Sequence, residues 1–163
     1  ATDVDQNFVE AYFHLARILT SPSEHDQAIR NYDTAIEINP NMADCHYWFA
    51  KLLSSGERLS NDGTLLKEPK IDYAEKHFKR AIEINPKYAK AYYRLGLLLY
   101  NKKDYLASMH NFENAIKLNP SFSRAHYSLA VLLMDKNAID IIQKKKADSK
   151  HKKVRVSKKS AKK

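Results

Sequence analysis

Apolar positions along the chain recur with helical spacing, and the pattern is clearest between Lys87 and Pro120. Ala91, Tyr92, Leu95, Leu98 and Leu99 fall on one broad stripe of a first helix. Asn101-Lys102-Lys103-Asp104 breaks the stripe and reads as a turn, with Asp104 placed to cap the next helix. Tyr105, Ser108, Met109, Phe112, Ala115 and Ile116 form a second stripe. Asn119-Pro120 ends it, because proline disfavours helical geometry in the residue before it. Small residues at Gly96, Ser108 and Ala115 allow the two helices to approach closely. Neither helix buries its stripe alone, so neighbouring copies must stack.

The unit repeats. The segment AIKLNP ends at Pro120, and AIEINP ends at both Pro86 and Pro40. The interval from Pro86 to Pro120 is 34 residues, and that from Pro40 to Pro86 is 46, longer by 12. The excess lies in SSGERLSNDGTLLKEPK, residues 54–70, which Gly56, Asn61-Asp62-Gly63 and Pro69 mark as loop, with a short helical piece expected at Thr64–Lys67. Lengthening a turn by two doublings costs roughly 1.2 kcal/mol of closure entropy, which a stacked array bears.

Period and pattern together resemble the tetratricopeptide repeat (TPR) family, which places Trp, Leu, Gly, Tyr, Ala, Phe, Ala and Pro at fixed positions of a 34-residue helix–turn–helix unit. The central copy offers Tyr92, Leu95, Gly96, Leu99, Ser108, Phe112, Ala115 and Pro120. The first copy, from Val9, offers Tyr12, Leu15, Ala16, Leu19, Ala28, Tyr32, Ala35 and Pro40. The second has His46, Phe49, Ala50 and Leu53, then Ala74, Phe78, Ala81 and Pro86. A fourth begins at Ser123 with His126, Leu129, Ala130 and Leu133, then loses the pattern. The resemblance implies an all-α, right-handed helical-hairpin solenoid of TPR units. Its parts are a polar lead-in at residues 1–8, an array over 9–143 and a basic tail over 144–163. The repeats run about 9–42, 43–88 with the insertion 54–70, 89–122 and a partial 123–143. In the first turn, Ser23 is the expected N-cap of the following helix.

Charge sharpens this division. The chain carries a net +9, yet the last 20 residues alone carry +10 and residues 1–143 carry −1. The cationic run includes Lys144, Lys145, Lys146, Lys152, Lys153, Arg155, Lys158 and Lys159. It is too charged to bury anything and reads as a frayed helix or a disordered segment. Three roles compete for it: a solubilising terminus, an electrostatic contact for nucleic acid, an acidic protein or an anionic surface, and a nuclear import signal of the K-K-x-R kind. No apolar run approaches the about 20 residues of a membrane span. The first residues lack the basic start and apolar core of a secretory signal. A lone Cys45 offers no intrachain disulfide and suits a reducing compartment, so the expected location is cytoplasmic, or nuclear if the tail is read by an import receptor.

No catalytic constellation, metal-ligand spacing or cofactor motif is present, so no enzyme activity, metal or cofactor is expected. The Cys45-His46 pairing reads as core packing. The family likeness points instead to a wall formed by the first helix of each repeat. On it fall the aromatics Phe13, Tyr47, Tyr93 and Tyr127, with Trp48 and the cations Arg17, Lys51, Lys90, Arg94 and Arg124. His14, Ser128, Glu10 and Asp44 share the wall, the last two as acidic exceptions. Aromatic platforms flanked by cations suit a protein or peptide ligand with apolar anchors and carboxylates. Lys90 and Arg94 match two of the five positions with which some TPR domains clamp chaperone C-termini, but Phe13, Arg17 and Trp48 depart from the rest, so a clamp is not expected. The resulting expectation is a protein-interaction scaffold. Its competitors are a nucleic-acid-associated protein anchored by the tail and a self-assembling homo-oligomer stacked through its terminal repeats.

Overall fold

The computed structural model describes the backbone of residues 2–19, 21–55 and 70–160, with side chains over 8–19, 21, 23–55 and 70–148. Every regular element among these residues is helical. The helices are α1 (Thr2–Ile18), α2 (His25–Ile38), α3 (Ala43–Ser54), α4 (Ile71–Ile84), α5 (Ala89–Asn101), α6 (Tyr105–Leu118), α7 (Ser123–Met134) and α8 (Lys136–Ser160), with one 3-10 turn at Pro22–Glu24. The chain divides into two compact units, residues 1–95 and 96–163, with α5 contributing to both.

In the first unit, α1 pairs with α2 and α3 pairs with α4, and α2 also lies against α3. The small residues of the repeat sit where helices meet: Ala28, Ala35, Ala74 and Ala81 are fully buried. Larger groups then close the gaps. Tyr32 stacks on Phe49 with ring centroids 5.4 Å apart. Burying an aromatic side chain of this kind is worth about 1.5–3 kcal/mol. Cys45 is also buried, its Sγ 3.9 Å from the Tyr32 carbonyl oxygen, and burial pushes its thiol up to about 12. It therefore stays protonated and is a poor nucleophile.

In the second unit, α6 packs on α7, and α8 lies against both. Gly96 meets α6 at the closest point. Ser108 Oγ donates to the Gly96 carbonyl oxygen at 2.8 Å, and a Cβ on Gly96 would lie 2.7 Å from the Phe112 ring. The α5–α6 turn closes as a Schellman motif: Asp104 N–H donates to Leu99 O and Lys103 N–H to Tyr100 O, each at 2.9 Å. Lys103 adopts the left-handed conformation this needs, with φ of 60°.

The Asn-Pro endings act in the same way three times. Asn39, Asn85 and Asn119 leave the helix in extended geometry, and each still donates its N–H to the alanine four residues back. Their side-chain Oδ1 atoms accept the N–H groups of Asn41, Lys87 and Ser121 at 3.0–3.2 Å. These Asx turns re-aim the chain, and the following proline holds the asparagine out of the helix.

Three local expectations change. Helix α1 extends back through residues 2–8, because no proline or glycine there stops it. Helix α2 starts after Glu24, not Ser23, because Pro22 and Ser23 are taken up in the 3-10 turn; there Glu24 Oε2 accepts from Ser21 N–H at 3.1 Å and Ser21 Oγ at 2.7 Å. Asp104 does occupy the N-cap of α6 without a side-chain capping bond, and its carboxylate pairs with Lys145 at 3.0 Å instead. The short helical piece expected at 64–67 lies outside the described residues.

Candidate functional site

The wall in the first unit is organised by Trp48. Tyr47 meets the indole edge-on, with centroids 5.6 Å apart and an interplanar angle of 83°. The Arg17 guanidinium carbon lies 4.6 Å from the indole centroid and the Lys51 ammonium 4.3 Å from it. Arg17 also lies 5.4 Å from the Phe13 centroid. Cations at this range are attracted by the negative face of the ring. Helical spacing explains the meeting: Trp48 and Lys51 are three apart on α3, hence neighbours on one face.

Among the described residues, no carboxylate forms an ion pair with Arg17, Lys51 or Arg94. Burial, followed by the charges of Arg94 and Arg17, pulls the Lys51 ammonium below its ordinary range. Asp44, the acidic residue on the same helix as Trp48 and Lys51, is already engaged. Asp44 accepts a short hydrogen bond from the Tyr88 hydroxyl, and the Tyr88 ring lies 4.9 Å from Tyr47. Burial and that bond push the Tyr88 phenol up, so it stays a donor.

The residues expected on the wall separate by depth. Phe13 and Tyr47 are 5% and 6% exposed, so they support the wall from below and offer a ligand little surface. Trp48, Lys51, Tyr93 and Arg94 are half-buried, whereas Arg17 and Lys90 are exposed. In the second unit, Arg124 is exposed and Tyr127 is 73% exposed. Lys144, Lys145 and Lys146 are exposed on α8, and Lys145 holds Asp104. The side chains of Lys152, Lys153, Arg155, Lys158 and Lys159 lie outside the described residues; the backbone there is α8.

A second cluster was not legible in advance. His46 Nε2 lies 3.1 Å from the Pro40 carbonyl oxygen, and His46 Nδ1 lies 2.9 Å from His77 Nδ1. His126 makes the same contact with Pro120 O, at 2.9 Å. The available signal was a histidine six residues after the repeat-ending proline in two copies. Nothing in the sequence singled out His77. No group of three or more metal-ligating side chains comes together among the described residues, and none of their helices is long and apolar enough to cross a membrane.

The sequence profile of the regulator of microtubule dynamics protein 1-3 family matches residues 6–104. The chain belongs to this family. The tetratricopeptide repeat profile matches residues 89–122, the copy from which the repeat was read, and the hairpins are tetratricopeptide units. No curated protein sequence matches the chain. Among solved structures, MamA is similar with a TM-score of 0.68 at 22% identity, over 91% of this chain and 84% of that one. The first TPR domain of Spaghetti (RPAP3), bound to an HSP90 peptide, gives 0.65 at 18% identity, over 76% and 89%. An O-GlcNAc transferase mutant of Thermobaculum terrenum gives 0.63 at 20% identity; the match covers 78% of this chain but only 22% of the transferase chain. At these identities the likeness is one of fold.

Proposed function

We propose that the chain is a non-enzymatic interaction scaffold whose first-unit wall holds a segment of a partner protein. The observation that carries this reading is the arrangement of Arg17 and Lys51 around a half-buried Trp48, with no carboxylate paired to either among the described residues. An indole with flanking cations is the kind of anchor on which binding energy concentrates. The Spaghetti TPR domain holds a peptide on the same fold, which supports a peptide or helix as the ligand. The family's name directs the choice of partner to the microtubule system. The single buried thiol suits a reducing compartment such as the cytoplasm.

The test is co-sedimentation with polymerised microtubules. The intact chain is expected in the pellet, and the Tyr93→Ala/Arg94→Glu variant in the supernatant with an unchanged circular dichroism spectrum. Equal pelleting of the two would remove the wall from the interaction. A chain that never pellets would remove the microtubule partner.

A further inference from the structure

The wall holds more positive charge than its own residues answer. Arg17 and Lys51 both approach the ring of Trp48, at 4.6 Å and 4.3 Å. Burial first, then the positive charges of Arg94 and Arg17, lower the Lys51 ammonium. A fold gains nothing from crowding like charges around one ring: the half-buried Lys51 ammonium loses hydration and is repelled by its cationic neighbours. Contact with the indole face offsets part of this cost. The remainder is what an incoming anion would relieve.

We propose that Arg17 and Lys51 form an anion seat around Trp48 that takes an acidic segment of a partner protein, with glutamate or aspartate carboxylates on the cations and an adjacent apolar side chain on the indole. This rests on the wall being the ligand face. An Arg guanidinium receives a carboxylate through two parallel hydrogen bonds, and Lys51 supplies a second charged donor. Protein carboxylates fit better than a continuous polyanion. Glu10 and Asp44 are exposed on the same helices and would repel a phosphate backbone. A peptide avoids that conflict, because its charges are separated by neutral residues and its N–H groups can face the acids. The chain's own tail is unsuited to the seat, since its last 20 residues carry +10. The seat also differs from the chaperone-tail clamp, because Arg17 and Trp48 stand where that pattern has other residues.

Trp48 is the only tryptophan in the chain, so its emission reports on this site and not on the tail. The intact chain would be titrated with a short, tryptophan-free peptide alternating glutamate and leucine, and with its glutamine counterpart. The expected result is a saturable change in Trp48 emission with the glutamate peptide and none with the glutamine peptide. Arg17→Gln/Lys51→Gln should raise Kd at least about tenfold, the range of one lost charge-assisted contact, while Lys51→Arg keeps binding. The double variant should melt no lower than the wild type, because it relieves repulsion. Should it fail to fold, the two peptides on the wild type and Lys51→Arg still decide.

Equal responses to the two peptides, or equal affinity of the double variant, would overturn the seat. So would glutamate-peptide binding seen by polarisation with no Trp48 response. Duplex DNA or phosphatidylserine vesicles changing Trp48 emission at lower concentration than the peptide would overturn the acidic-protein occupant. None of these results touches the co-sedimentation outcome, so failure of the seat is distinguishable from failure of the scaffold reading.

Discussion

His46 Nδ1 and His77 Nδ1 lie 2.9 Å apart, which fixes where both rings carry their protons. The Pro40 carbonyl can only accept, so His46 Nε2 carries the hydrogen and His46 Nδ1 is a lone pair. His77 Nδ1–H must therefore be the donor between the rings. Burial, then the charges of His46 and Lys76, lower the His77 imidazole from 6.5 to about 4. Burial is also the first cause lowering His46, opposed by its bond to Pro40.

The sign of the pH dependence follows. Below 6.5 the unfolded chain binds a proton at His77 that the folded chain refuses until about 4. Stability is therefore full above 6.5 and falls as pH drops through that window. His77→Gln, which keeps a donor towards His46, should flatten the difference between urea midpoints measured at about pH 7 and about pH 5. The same slope in both proteins would assign the acid sensitivity to other groups.

Lys103 occupies the left-handed region at the Schellman turn without glycine's freedom. Lys103→Gly should stabilise the chain by about 1 kcal/mol, since the strain of a side chain there is about 1–2 kcal/mol and glycine's extra unfolded-state entropy returns part of it. A rise of a few degrees in melting temperature is the expected reading. A fall would mean that the Lys103 side chain makes a compensating contact.

Gly96→Ala sets two effects against each other. Alanine gains about 1 kcal/mol of helix propensity, but its Cβ would sit 2.7 Å from a Phe112 ring that is 1% exposed. Overpacking costs about 1–3 kcal/mol, so a net loss of up to about 2 kcal/mol is expected in urea denaturation. Ala16 and Ala50 occupy the equivalent positions of the first two repeats, which places the cost below what a buried clash against backbone would give. A stabilised variant would show that α6 moves outward without losing its packing.

The tail permits a test by salt. If about six of its cations contact duplex phosphates, log K should fall against log salt with a slope of roughly −5. Sequence preference should be negligible, because lysines without base-reading partners contact only the backbone. Removing residues 144–163 should abolish this binding and spare ligand binding at Trp48. Absence of binding by the intact chain at low salt would leave the tail as a solubiliser, an import signal or a contact for an acidic protein.

Much of the fold was written in spacing. The stripes through Leu95 and Phe112 and the Asn-Pro stops locate the hairpins, because each depends only on residues a few positions away. The family likeness placed Arg17, Trp48 and Lys51 on one wall. What spacing left open was depth: Phe13 and Tyr47 belong to the same stripe position as Tyr127, yet the first two are buried and Tyr127 is exposed. That difference arises from which rings the neighbouring hairpin supplies, such as Phe78 and Tyr88 against Tyr47. The His46–His77 contact was equally hidden, since it joins residues 31 apart across a hairpin of irregular length. Ser23 does not cap α2, because residues 22–24 form a 3-10 turn that puts Glu24 at the N-cap.

Among the described residues, helices α3 and α4 are joined at their open end by a backbone bond from Lys70 N–H to Leu53 O at 2.9 Å. That bond holds the two chain ends side by side, at the distance of neighbouring strands of backbone. The hairpin thus behaves as a docking port in the engineering sense. A graft whose own termini lie close together, carried between Leu53 and Lys70, is expected to leave the packing of α3 on α4 unchanged. The spacing of AIEINP segments along the chain grows by a dozen residues here, and α3 still packs on α4 as α1 packs on α2.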